Sequence, residues 1–245
     1  MDHRLFYLHN KQYSNYLENQ HEDSFKKYVN YILKYSKEKG FILDVGCGTG
    51  IALEMIGKKS KRRYFGIDIS STSIQMCKTK GIDCRFYNGQ KIPFKDEYFQ
   101  LVGSFNVLEH TNDPISFLNE KLRVLKSGGY LIIVCPNFLS ITNSYHKHTK
   151  GVWQKVKNFI LLTVLLISKK NIFEKMNTIE RKDFQPDDDA VNVTNPVSIL
   201  LWAKKNKLII KYWSSQSIYR QGLLNHLDNS ILKIFLGSSF FVFKK

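Results

Sequence analysis

Residues Ile42-Leu43-Asp44-Val45-Gly46-Cys47-Gly48-Thr49-Gly50 join a short apolar run to three alternating glycines, with an amphipathic stretch beyond them. Glycines at every second position let backbone N–H groups approach a ligand closely, and a helix opening there adds partial positive charge. A strict dinucleotide fingerprint, GxGxxG, fails, because the sixth position counted from Gly46 is Ile51. Asp44 ahead of the glycines would repel a pyrophosphate but attract an ammonium group, so the loop suits an amino acid joined to a nucleoside. Asp68 closes a second apolar run, Gly66-Ile67-Asp68-Ile69, where a carboxylate can accept both hydroxyls of a ribose. Asn88 and Gly89 follow a third run and offer an amide and a backbone N–H to an adenine edge. A fourth run ends in Asn106-Val107-Leu108-Glu109-His110, bringing an amide, a carboxylate and an imidazole to the same rim.

The elements that position these residues alternate between short apolar runs and amphipathic stretches, the pattern of βα units feeding a parallel sheet. Strands are predicted in FILDVG, RRYFGIDI, DCRFYN, YFQLVGSFNV and GYLIIVC, and two more in LIIKYWSS and FFVFKK. Helix signals lie between them: Ser70 or Ser71 as a cap closed by Gly81, Asn112-Asp113-Pro114 opening a helix through Lys126, and Asn195-Pro196 opening another. The predicted fold is α/β, a doubly wound Rossmann-like seven-stranded sheet, mostly parallel with an antiparallel last strand, plus a helical lid or insertion. Four segments are expected: an N-terminal helical cap over 1–40, with Phe25, Tyr28, Val29 and Ile32 on one face; a cofactor core over 41–137; a basic and apolar insertion over 138–194; and the C-terminal helices and last two strands over 195–245. An extra helical piece is expected around Gly222 to Phe235.

With LDVGCGTG, GIDIS, NGQKIPF, FQLVGSFNVLEH, VLKSGGYLIIVCPN and the terminal FFVFKK in view, the sequence resembles the seven-stranded, class I methyltransferases that use S-adenosyl-L-methionine, of the broad small-molecule type. The resemblance covers residues 41 to 137 closely and the last strands loosely. It implies that the Gly46, Gly48 and Gly50 loop cradles the methionine part of the cofactor, that Asp44 lies near its amino group and that Asp68 holds the ribose. Cys47, Ile69, Asn88, Gly89 and Asn106 complete the implied cofactor site. Where Asn88 stands the family more often has an aspartate, and Gln100 likewise replaces a usual aspartate. Transfer of a methyl group from a sulfonium needs positioning above all, and no metal. For a hydroxyl or ammonium acceptor a base must also take a proton, and His110 is the candidate; His146 and His148 are alternatives.

The chain carries 37 Lys and Arg against 21 Asp and Glu, a formal charge of +16. Residues 138 to 182 alone hold nine basic side chains and two acidic ones, so the excess gathers around the insertion. There the apolar run Phe159 to Ile167 is half the roughly 18 residues a spanning helix needs. Trp153, Val156, Phe159, Ile160 and Ile167 can therefore pack as a lid. Alternatively, flanked by Lys155, Lys157, Lys169 and Lys170, the stretch can lie on a membrane surface through residues 153–170. The implied acceptor is a small molecule or one linked to lipid or glycan, methylated on O or N ahead of C. An RNA acceptor is the competing reading for the charge, disfavoured because no RNA-binding module is evident. A non-catalytic cofactor-binding protein is a third. Asp187-Asp188-Asp189 reads as a solvated turn, with Asp183 nearby. Four scattered cysteines without CxxC spacing and an N-terminus without an apolar signal suggest a reduced, cytoplasmic protein, soluble or peripheral at the inner membrane face, with no zinc site.

Overall fold

The computed structural model describes residues 4–8, 10–37, 40–142, 150–169, 172–179, 188–216 and 230–245. Helices α1 (Arg4–Leu8), α2 (Lys11–Glu18) and α3 (Glu22–Tyr35) precede a series of strands and helices: β1 (Phe41–Val45), α4 (Ile51–Lys59), β2 (Arg63–Asp68), α5 (Ser71–Thr79), β3 (Cys84–Phe86), β4 (Phe99–Phe105), α6 (Pro114–Val124) and β5 (Leu125–Cys135). Then come α7 (Val152–Ser168), β6 (Glu174–Lys175), β7 (Asn192–Val193), α8 (Pro196–Lys205), β8 (Ile209–Gln216) and β9 (Ser238–Lys244). Seven strands form one sheet in the order β3-β2-β1-β4-β5-β9-β8. β1 runs parallel to β2 and β4, and β2 to β3. Lys245 exchanges two hydrogen bonds with Gly128 and Gly129 at the start of β5, which makes β9 antiparallel to it. This is the predicted doubly wound sheet with one antiparallel strand.

The predicted start signals act as caps. The Ser70 side chain accepts from Ser73 N–H, Asp113 from Ile115 and Ser116, and Asn195 from Ser198, with proline at the first helical position of α6 and α8. Two boundaries differ from expectation. Helix α6 stops at Val124 rather than Lys126, and β5 begins at Leu125, because Glu97 and Tyr98 N–H groups take the Arg123 and Val124 carbonyls. The helical piece expected before β9 is a single 3-10 turn, Ile231–Phe235; the part from 217 to 229 lies outside the described residues.

Two compact units make up the chain, one of residues 1–107, 111–132 and 244–245, the other of 108–110 and 133–243. The core of the first is the buried run of β1 and β4 with α3, whose Tyr28, Val29 and Ile32 are the buried face. In the second, Phe138, Leu139, Leu162, Leu165, Met176, Ala190, Val193, Val197 and Ile234 form one apolar cluster. A short ladder, β6 against β7, crosses this unit and was not foreseen, since two-residue strands leave no periodicity to read.

Candidate cofactor and active site

The first unit builds a ligand loop where β1 ends. Gly46, Gly48 and Gly50 all have positive φ (78°, 52° and 84°), a region that side chains with a Cβ rarely enter. At Gly46 a Cβ would also stand 2.4 Å from Val107 Cγ2, so no other residue fits without displacing the Val107 side chain. The loop is fastened from β2: Ile67 O accepts from Gly46 and Cys47 N–H at 2.8 and 3.1 Å. From the N-terminal helices, Leu17 lies close above Gly48, where a Cβ would meet its Cδ1 at 3.1 Å. Ser14 on the same helix is bonded to Ser73 at 2.9 Å and to Ser70 at 3.3 Å, joining α2 to α5.

Asp68 accepts the Gly48 N–H and the Ser70 N–H, both at 2.8 Å, so it ties the glycine loop to the cap of α5. A carboxylate has about four lone-pair sites, which leaves acceptor capacity for hydroxyls. Burial raises its pKa to about 6, against the opposing hydrogen bonds from Ser70 and Gly48. Asp44 is buried in mid-sheet between Gly66 of β2 and Gly103 of β4, and accepts the Tyr28 hydroxyl at 2.6 Å. Gly103 makes that bond possible, because a Cβ there would fall on the Tyr28 oxygen. Burial raises Asp44 to about 7; the Tyr28 hydrogen bond and, more weakly, Lys121 pull the other way. Lys121 is itself fully buried, donates to Ser104 Oγ and lies 4.5 Å from the Phe117 ring centroid. Sequence reasoning placed Tyr28 on the inner face of its helix without a partner and passed over Lys121, since helical periodicity marks a buried face but not a tertiary bond.

The remaining predicted positions are less bound to the loop. Ile69 is half-buried beside Asp68. Asn88 is exposed and its carbonyl takes the Gln90 N–H at 3.0 Å, an Asx-turn that leads into Gly89 at φ 74°. Asn106 is exposed just past β4 with φ 52°. Gln100, the other departure from the family pattern, accepts the Lys37 N–H at 3.2 Å.

The imidazole belongs to the second unit. His110 closes a 3-10 turn, Leu108–His110, with Nε2 3.8 Å from Glu109 Oε1 and Nδ1 3.5 Å from Asp189 Oδ2. Both separations exceed hydrogen-bond length, so these are contacts that strengthen when the ring is protonated. Val191 N–H and the Asn192 amide donate to the Glu109 carbonyl at 2.9 and 3.3 Å, fixing the turn against β7. The acidic turn is therefore not the solvated one expected: Asp188 and Asp189 are buried, and the Asp188 carbonyl accepts the Ile179 N–H at 2.7 Å. Asp187, Asp183, His146, His148 and Lys170 lie outside the described residues.

Helix α7 also departs from expectation. Trp153 is 81% exposed, Ile160 55% and Ile167 76%, with Val156 and Phe159 exposed beside them; the buried face is Asn158, Leu162 and Leu165. A 3.6-residue period puts the two sets on opposite sides of the helix. Of the proposed lid residues Phe159 stacks on Phe235, centroids 5.0 Å apart, while Trp153, Val156, Ile160 and Ile167 stay exposed. No helix among the described residues is long and apolar enough to cross a membrane.

A doubly wound sheet with an alternating-glycine loop after its first strand and an acid after its second defines a nucleoside-binding α/β protein. The Methyltransferase domain family matches residues 43–133. An uncharacterised protein of Methanocaldococcus jannaschii is 30% identical over 217 residues, covering 87% of this chain and 79% of that one. A "Probable S-adenosylmethionine-dependent methyltransferase" of Mycolicibacterium smegmatis is 29% identical over 41% of this chain and 40% of its own length, so the chain spans two fifths of that relative. A "Probable tRNA methyltransferase 9B" of Homo sapiens is 30% identical over 43% of this chain and 23% of its own. Among solved structures, an S-adenosylmethionine dependent methyltransferase from Mesorhizobium loti superposes with a TM-score of 0.60 at 12% identity, over 91% of this chain and 98% of that one. The chain belongs to the class I, S-adenosylmethionine-dependent methyltransferases. The residues present fit that cofactor: a cradle that Cβ atoms would fill, and a buried carboxyl at its base whose charged form an ammonium group would stabilise.

Proposed function

We propose that this methyltransferase alkylates an oxygen or nitrogen of an amphiphilic acceptor, linked to lipid or glycan, at an anionic membrane surface. The observation that carries the proposal is the outer face of α7. Trp153, Val156, Ile160, Val164 and Ile167 recur every three or four residues as an exposed apolar stripe, with exposed Lys150, Lys157 and Lys169 around it. An apolar face rimmed by lysines immerses in a lipid interface without spanning it, and each lysine near an anionic surface adds about 1 kcal/mol.

Bound S-adenosylmethionine supplies a methyl group already activated on a positively charged sulfur. The chain's own work is then to hold and orient. Asp44 would hold the ammonium group and the Gly46–Gly50 loop the amino-acid portion, while Asp68 keeps that loop in place and would offer its remaining lone pairs to the ribose. Ile69, Asn88, Gly89 and Asn106 would hold the nucleoside. His110 takes the acceptor's proton, and Asp189 stabilises the imidazolium that results.

Sedimentation with vesicles tests the reading. Binding to phosphatidylserine-containing vesicles at low salt is expected, with a blue shift of Trp153 fluorescence, and Ile160→Asp combined with Ile167→Asp should abolish it. The double variant changes exposed positions and should keep its fold. Absence of binding, or binding unaltered by the two substitutions, refutes the membrane role. A tRNA acceptor is the second reading, favoured by the +16 charge and the tRNA methyltransferase relative. Transfer of a labelled methyl group to tRNA, with none to lipid extracts, would put it first.

A further inference from the structure

Cys47, Cys77 and Cys84 come from the glycine loop, from α5 and from β3, and their spacing suggested no common site. The fold brings them together: all three are buried and their sulfur atoms lie within 4.8 Å of one another, with Cys47 and Cys84 Sγ 3.6 Å apart. Two glycines keep the space open. A Cβ on Gly66 would stand 2.6 Å from both the Cys47 and Cys84 sulfurs, and one on Gly50 would stand 3.0 Å from that of Cys77.

We propose that this trio is a three-coordinate site for a soft, thiophilic metal ion, with copper(I) as the ion it suits. Three sulfurs at a metal–sulfur bond of about 2.3 Å in a trigonal plane are about 4 Å apart, within the span of the trio. Among the described residues no further cysteine, histidine, aspartate or glutamate joins the cluster. Thiolates suit both zinc and copper(I), but zinc in structural sites takes four ligands, and a trio of sulfurs falls one short of that. Binding forms three copper–sulfur bonds, sends the thiol protons to solvent and transfers no electron, so affinity falls as pH is lowered. The ion would lie directly against the cofactor loop, because the Cys77 S–H donates to the Gly48 carbonyl at 3.3 Å.

The test uses the reduced full chain, kept free of oxygen and titrated with copper(I) held by a chromophoric chelator. One equivalent should leave the chelator, and X-ray absorption at the copper edge of the loaded wild-type chain should count three sulfur neighbours. The combined variant Cys77→Ser and Cys84→Ser should withdraw at least tenfold less copper at the same chelator concentration. No withdrawal by the wild-type chain, a count other than three, or equal uptake by the variant overturns the proposal. The sulfur count is made on the wild-type chain, so it decides even if the substitutions disturb folding, and neither readout depends on methyl transfer.

Discussion

In the first unit Asp44 takes the Tyr28 hydroxyl from 16 positions away and Asp68 takes the Gly48 N–H from 20. In the second, the Glu109 carbonyl takes the Asn192 amide across 83 positions, and His110 faces Asp189 across a similar stretch. The two carboxylates of the first unit are held from nearby segments, with Gly103 clearing space for the Tyr28 hydroxyl. The unit holding the imidazole is assembled by distant segments that meet over an apolar cluster. Short separations along the chain hold the two carboxylates of the first unit, and long ones hold the imidazole of the second.

The largest expected effect breaks the comparison at His110. If the second unit supplies the proton acceptor, His110→Ala lowers turnover about 10²- to 10⁴-fold at neutral pH while leaving S-adenosylhomocysteine affinity unchanged by calorimetry. Asp189→Asn should give a smaller loss, because it removes the carboxylate 3.5 Å from the ring and leaves the imidazole itself in place. Turnover by His110→Ala equal to wild type would place the base elsewhere.

A next effect, on stability, separates the two faces of α7. Leu162 is fully buried in the second unit's cluster, so Leu162→Ala should cost about 2 to 5 kcal/mol in denaturant unfolding. Ile160→Ala on the exposed face should change stability by less than about 0.5 kcal/mol. Equal losses would mean that the outer stripe is packed in solution.

In the first unit, Gly46→Ala tests the cradle. A positive φ of 78° together with a Cβ 2.4 Å from Val107 Cγ2 should weaken S-adenosylhomocysteine binding about 10- to 100-fold. Gly81 is the matched control. Its φ is 71° but a Cβ there meets nothing within 4 Å, so Gly81→Ala should spare affinity.

These contrasts follow what was legible in the residues. The strands from Phe41 to Cys135, the caps at Ser70, Asp113 and Asn195 and the glycine loop were all readable, because each rests on local patterning or on a fixed backbone requirement. The Tyr28–Asp44 bond, the buried Lys121 and the meeting of Cys47, Cys77 and Cys84 depend on which faces the sheet brings together, and no spacing along the chain encodes that. The acidic turn was misread for the same reason. Three aspartates in a row look solvated until Val191 and Asn192 are seen to pin the adjoining strand to Glu109. On α7 the period was correct but its phase was not. Apolar residues occupy both faces, so the pattern alone does not choose which face turns inward.

The smallest effect, and the most specific to the cofactor, concerns one proton on Asp44. Its folded pKa, about 7, lies above the ordinary carboxylate value of 3.8. Between those values the unfolded chain ionises while the folded chain keeps the proton, so this group's contribution to stability declines as pH rises from about 4 to about 7. Asp68, raised to about 6, contributes in the lower part of the same window. Asp44→Asn should therefore flatten the slope between pH about 6 and about 7 and roughly halve this pair's contribution between about 4 and about 6. With the ammonium group at Asp44 and the ribose at Asp68, as proposed, cofactor binding reverses the preference at Asp44 alone, because an ammonium group favours the carboxylate whereas a ribose brings no charge. Calorimetry with S-adenosylhomocysteine in buffers of different ionisation enthalpy should thus show proton release from Asp44 at pH 6 that shrinks at pH 8. In Asp44→Asn this component should vanish. Uptake of a proton, or release that persists undiminished at pH 8, would mean that the ammonium group does not sit at Asp44.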